Sequence, residues 1–256
     1  MERLTRRNKG MSIASLRAWG ILFILAGALG RGLLQNAVLG LDGLKQQQLL
    51  EAMNNPEIMA LVTGALVLQA LETCAIPIFA FMLVEGFLHT GHFKNYLLRM
   101  TGLALVSEIP FDLAMKGSFL DLSVQNPAIG MAACLLVLYF FRRYSEKGIS
   151  NVLIKLCVAA AALVWMSMLR VDHGVPMVLM VCALWLLRKR PQFRLLWGAA
   201  AAVVCTVFSA YYLASPMGFL PVHLYSGERP EKENRLACYL VYPVLLLVIG
   251  LVVKFM

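Results

Sequence analysis

Charge is scarce in this chain. Asp, Glu, Lys and Arg make up 14% of its 256 residues, against 60% hydrophobic. A soluble globular domain carries roughly a quarter charged residues, so the shortage excludes that class. Chemical signatures are missing too. No Gly-rich phosphate loop, Walker motif or GxSxG elbow occurs, which removes the common nucleotide-binding and serine-hydrolase sites. The four histidines lack HxxxH or HxxE spacing, and the six cysteines (Cys74, Cys134, Cys157, Cys182, Cys205, Cys238) lack CxxC spacing. The pattern therefore predicts no metal site. Every cysteine lies within apolar sequence and reads as a small buried hydrophobe.

What is present is long apolar runs, near 13–39, 57–90, 96–115, 127–141, 151–169, 174–187, 194–214 and 236–255. Several approach the roughly 20 residues that carry a helix across a bilayer. The fold class expected is all-α: a polytopic transmembrane helical bundle, one integral membrane domain over residues 1–256. The first apolar segment is long and lacks a small-residue cleavage site, so it reads as a retained span rather than a signal peptide.

The second run is too long for one straight crossing, since a 34-residue helix rises about 51 Å. It is either two crossings or one crossing preceded by a shallow or re-entrant helix. The net charge of +9 decides. Basic residues cluster at Arg3, Arg6, Arg7 and Lys9, at Arg142, Arg143 and Lys147, and at Arg188, Lys189, Arg190 and Arg194, each beside an apolar span. That placement marks cytoplasmic loops and argues against nucleic acid as a partner. A single net crossing in the second run puts all three clusters on one side. The expectation is about eight spans, a shallow or re-entrant helix at 57–72, Pro77 starting or kinking the true crossing, and both termini cytoplasmic. Segments 40–56, 116–126, 170–173 and 215–235 then lie outside.

Ionisable residues at membrane depth are costly and mark functional candidates. The stretch IPIFAFMLVEGFLHTGHFKNYLLRMTGLALVSEIPFDLA, from Ile76 to Ala114, contains Glu85, His89, Arg99, Glu108 and Asp112. Glu85 and His89, four apart, share a helix face, and a carboxylate beside an imidazole suits a general base; a surface histidine with a structural glutamate is the plainer alternative. Glu108 and Asp112 flank Pro110, with Arg99 as a candidate counter-ion, either as a cavity or as a packing network. Arg31, followed by Gln35 and Asn36, could meet a substrate anion or a buried acid. Gln125 and Asn126 open a span, where capping explains them at least as well as oxyanion binding. Turn chemistry accounts for Asp172-His173-Gly174. His92 and His223 read as loop residues.

At IPIFAFMLVEGFLHT, Tyr96, Arg99 and SEIPFDLA the chain resembles the TraX family, with further likeness at Gln125-Asn126, Asp172–Gly174, LYSGERP and LVYP (240–243). The family is named for acetylation of conjugative pilin and is similar to multi-span acyltransferases that use cytoplasmic acyl-CoA. The resemblance implicates Glu85, His89, Tyr96, Arg99, Glu108, Asp112, Gln125, Asn126 and Tyr225. The chain departs from the family pattern at Gly27-Ala28, where many members have Asp-His, and at Leu245, where they tend to have a histidine.

The expected function is an acetyl- or acyltransferase of the bacterial inner membrane. Acyl-CoA is the co-substrate, Arg142 and Arg143 attract its phosphates, His89 with Glu85 is catalytic, and Arg99, Glu108, Asp112, Arg31, Gln125, Asn126, Tyr96 and Tyr225 shape the cavity. The acceptor is an unidentified amine or hydroxyl. Other partners are the bilayer and, in an oligomer, a second copy of the chain. The rival is a transporter or assembly factor with a Glu/Asp/Arg relay.

Overall fold

The computed structural model describes residues 10–40, 54–227 and 235–256. The cluster Arg3, Arg6, Arg7 and Lys9, most of segment 40–56, and the ERP of LYSGERP lie outside them. The described residues are helical, with two isolated backbone bridges, Met11–Tyr225 and Gln125–Val171.

Helix α1 (Ile13–Ala28) starts at Ser12, whose side chain accepts from the Ser15 amide, and continues in wider π-helical turns over Leu29–Val38. Helix α2 (Pro56–Glu72) is capped by Asn55 and begins on Pro56, and α3 (Ala75–His89) follows after a two-residue break. Next come α4 (Phe93–Lys116), stopped by Gly117 at φ 65°, and α5 (Pro127–Arg143). Helices α6 (Ile149–Met168), α7 (Gly174–Leu186), α8 (Pro191–Val204), α9 (Phe219–His223) and α10 (Arg235–Phe255) complete the chain.

Among the described residues, four helical stretches are long and apolar enough to cross a membrane: Ile13–Val38, Pro56–His89, Ile149–Met168 and Cys238–Phe255. The outer surface agrees. On α6 only Met166 is buried, while Ile149, Leu156, Trp165 and Met168 all project outward. An apolar face of that extent needs lipid or a partner to cover it. This is a helical membrane protein.

Contacts fix the direction of each helix. Near the start of α1, Arg17 donates to Cys238 Sγ, near the start of α10, at 2.8 Å. At the opposite end, Lys254 Nζ lies 5.6 Å from the Phe119 ring, just beyond α4, and the Asn36 side chain donates to the Met115 carbonyl. Helices α1, α4 and α10 are therefore parallel, all running from a near end, where α1 starts, to a far end. The loop after His89 and the basic residues Arg142 and Arg188 sit at the near end, since Arg142 lies over Phe87, and Phe87 packs on Trp185 beneath Arg188.

This corrects the expected topology in two places. The 194–214 run does not make a full passage. Its α-helical part, α8, spans 14 residues and ends at Val204. Beyond it, Ser209, Ser215-Pro216 and Gly218 break the chain into 3₁₀ turns at Cys205–Val207, Ala210–Leu213 and Ser215–Gly218. The chain then folds back. Phe219 packs into the space left by Gly198, and Met11 exchanges backbone hydrogen bonds with Leu224 (2.7 Å) and Ser226 (3.0 Å). Segment 215–227 thus returns to the near end rather than the far side, and α10 ends at the far end, opposite the start of α1. Two hairpin carbonyls that already accept backbone amides take a second donor from the α2–α3 break: Thr73 Oγ1 to Tyr211 O at 3.2 Å and Cys74 Sγ to Ala214 O at 3.1 Å. Such pairing is what irregular backbone requires when water is excluded.

The 56–89 run makes one net passage, from far end to near end. Helix α2 lies along the π-helical half of α1, the break falls at Thr73-Cys74, and Pro77 sits in the first turn of α3, where a proline costs no hydrogen bond. The core lies between α3, α5 and α7, on fully buried Leu83, Val84, Leu135, Leu138, Met180 and Leu184.

Candidate functional site

A cavity of about 650 Å³ runs through the bundle, lined at the near end by Arg17, His89, His92 and Arg99 and at the far end by Glu72, His173 and Tyr242. Exposed His92 and Arg99 place its mouth at the near end.

The closed end is ionic. Arg31 Nη1 donates to Asp172 Oδ2 at 2.8 Å, and its Nη2 lies 3.7 Å from Glu72 Oε2. His173 Nε2 is 3.9 Å from both Glu72 Oε1 and Asp172 Oδ1, while its Nδ1 is 2.9 Å from the Tyr212 hydroxyl. Burial disfavours charge on Asp172, but Arg31 and His173 outweigh it and hold the carboxyl below its ordinary value. Burial likewise opposes protonation of His173, and Asp172 and Glu72 reverse the balance, raising its pKa above the ordinary one.

Each member is brought there by a specific device. The 170–173 turn is pinned by Gln125, whose amide donates to Arg170 O (3.0 Å) and whose carbonyl accepts from Asp172 N (2.8 Å). Arg170 and His173 adopt φ of 51° and 53°, a left-handed conformation that non-glycine residues hold only under outside constraint. Glu72 ends α2 and reaches across to α1, where a Cβ on Gly27 would overlap its carboxyl. Tyr212 arrives on the hairpin. The ligand atoms of Glu72, Asp172 and His173 lie within 4.8 Å of one another, a spacing a metal ion could bridge. The Arg31 guanidinium supplies positive charge against both carboxylates.

Sequence reasoning assigned Asp172 and His173 to turn chemistry and did not single out Glu72 or Tyr212. Arg31, expected to meet a substrate anion or a buried acid, meets the buried Asp172.

Glu85 and His89 do come together, but Glu85 Oε1 is held by Arg194 at 2.7 Å, with the guanidinium 4.8 Å from the Phe81 ring. This ion pair ties α8 to α3. His89 Nδ1 lies 2.8 Å from the Glu85 backbone carbonyl and 3.7 Å from its carboxylate, so the backbone selects the tautomer with Nε2 as acceptor. Tyr96 lines the same cavity, its ring fitting over Gly86.

The expected set of Arg99, Glu108 and Asp112 does not share a cavity. Arg99 is exposed at the mouth, and no ion pair joins it to either acid among the described residues. Asp112 lies on a separate space of about 220 Å³ with Arg31, Gln35 and Gln69, and accepts from the Asp121 amide at 2.8 Å. Glu108 lines neither space. Glu108 follows Arg99 by nine positions on α4, a rise of about 14 Å and too great for a direct pair. Asn126 is a cap: its Oδ1 accepts from Ala128 N (2.7 Å) and its Nδ2 donates to Ala104 O and Ser107 Oγ. Gln125 acts through its backbone, and Tyr225 packs edge-on against Phe81 at 5.5 Å. Arg142 and Arg143 are exposed and do not line the cavity, Arg142 stacking over Phe87 instead.

Fold and site together define a polytopic membrane protein with an internal cavity closed by a buried ionic cluster. Residues 46–253, most of the chain, match the family model described as TraX protein, and the chain belongs to that family. No curated protein and no solved structure matches it.

Proposed function

We propose that this protein is a membrane acyltransferase that takes an acyl group from cytoplasmic acyl-CoA and passes it to an amine or hydroxyl acceptor within the cavity. The observation carrying this reading is the cavity itself, about 650 Å³, lined from the basic Arg17 and Arg99 at its mouth to the buried His173 imidazole at its other end. That shape suits a pantetheine arm, with nucleotide phosphates held near Arg17 and Arg99. Two imidazoles, His89 near the mouth and His173 at the closed end, are in reach of a thioester held there. Membership of the TraX family supports the reading.

In the bilayer of a bacterial inner membrane the near end faces the cytoplasm, because the basic loops at Arg142–Lys147 and Arg188–Arg190 gather there. The helices then make seven passages, with residues 191–227 as a re-entrant hairpin from the cytoplasmic side and the C-terminus outside.

The test is thermal unfolding of purified protein with acetyl-CoA, longer acyl-CoAs and free CoA, followed by thiol release. Acyl-CoA should raise the melting temperature and be turned over. If no acyl-CoA binds, acyl transfer falls and the buried charges are better read as a transporter's relay.

A further inference from the structure

Two histidines line one cavity from opposite ends, and their surroundings differ. His89 has 55% of its side chain exposed, whereas His173 has 11%. His173 Nε2 is buried with no hydrogen-bond partner among the described residues, and so is Glu72 Oε2 beside it. Tyr212 fixes the ring through Nδ1, which leaves Nε2 as the lone-pair nitrogen when Nδ1–H donates to the hydroxyl oxygen. The left-handed backbone of His173, φ 53°, is the kind of strain that a functional orientation retains.

We propose that His173 is the base of the acyl-transfer reaction and that its Nε2 takes the proton from the acceptor at the closed end of the cavity. This rests on the acyl-transfer reading but places its chemistry away from His89. The acceptor X–H gives its proton to Nε2 as X attacks the thioester carbonyl carbon. The X–C bond forms, the C–S bond breaks, and the thiolate leaves with the proton that the imidazolium returns, so acceptor and acyl-CoA become acylated acceptor and free thiol. Glu72 and Asp172, each 3.9 Å from Nε2, stabilise the imidazolium while it exists. Arg31 holds those carboxylates in place, and exclusion of water strengthens each of these interactions. The groups facing the imidazole are Glu72, Asp172, Arg31 and Tyr212; the two acids favour its protonated form, so the water reaction should rise with pH as Nε2 loses its proton and becomes free to act as base.

The experiment measures thiol release from acetyl-CoA by the purified full-length protein, with water and then hydroxylamine as acceptor. Water needs a base; hydroxylamine, neutral and strongly nucleophilic at pH 7, does not. His173→Gln should lower the water reaction by about 100-fold or more, leave the acetyl-CoA melting shift intact, and keep the hydroxylamine reaction within a few-fold of wild type. Tyr212→Phe, which keeps the imidazole and removes its tether, should slow the water reaction with the same sparing of hydroxylamine. A His173→Gln water rate within twofold of wild type overturns the assignment while acyl transfer stands, and so does equal loss of both reactions. If wild-type protein neither binds nor turns over acetyl-CoA, acyl transfer itself fails and takes this assignment with it.

Discussion

Arg31 on α1 and Asp172, 141 residues later in the α6–α7 turn, form a 2.8 Å ion pair that closes the far end of the cavity. The same guanidinium reaches Glu72, so one cation holds two buried acids and, through them, His173. Removing it strands negative charge where water cannot help. Arg31→Met should therefore destabilise the protein by about 3–5 kcal/mol, whereas replacing Arg31, Glu72 and Asp172 together with apolar residues should cost less. Thermal unfolding in detergent compares the two, and a triple variant weaker than Arg31→Met would refute the account.

Gly27 matters for a different reason. Its missing side chain is the space the Glu72 carboxyl occupies. Gly27→Ala should push that carboxyl away from Arg31 and His173, at a cost of about 1–3 kcal/mol. With Glu72→Ala the added methyl meets no carboxyl, so the double variant should be less unstable than the two single losses added together. Additive losses in a double-mutant cycle would mean that the two residues do not compete for one space.

Helix positions were legible because apolar runs mark them: each of the eight expected segments holds a helix, with α2 and α3 sharing one. The hairpin was not, because residues 194–214 are as apolar as a span. Only the punctuation at Ser209, Ser215-Pro216 and Gly218 signals that the helix breaks and the chain turns back. The Glu85–His89 pair was visible because neighbours four apart on a helix are fixed by local geometry. The Glu72–Asp172–His173–Arg31 cluster joins the end of α2, a turn and the π-helical part of α1, and no local spacing records that. Two signals were available: His173 beside Asp172 in a turn between apolar spans, and Arg31 deep in the first span with no partner on its own helix.

The hairpin makes a labelling prediction. Ser145, Gly227 and Ser123 are all exposed, the first two at the near end and Ser123 at the far end. Single cysteines at these positions in a cysteine-free background should behave as a pair and an outlier toward an impermeant thiol reagent on intact cells. Positions 145 and 227 should be protected and 123 labelled. Labelling of 227 together with 123 would restore a full passage for residues 194–214.

The buried histidine also sets a pH dependence of stability. The pKa of His173 is raised in the folded protein, with burial opposing charge but Asp172 and Glu72 prevailing. Its contribution is therefore complete below the ordinary imidazole value of about 6.5 and fades as pH rises through the folded value. Asp172 is shifted the other way, so its contribution holds above the ordinary carboxyl value and fades only when pH falls through its lowered folded one. Between pH 6 and pH 9 the melting temperature of wild-type protein should decline, and His173→Gln, which cannot gain a proton, should show a flatter profile across the same range. The variant should start lower at pH 6 and approach wild type at pH 9. Parallel declines in the two proteins would show that another group, and not this imidazole, loses its proton.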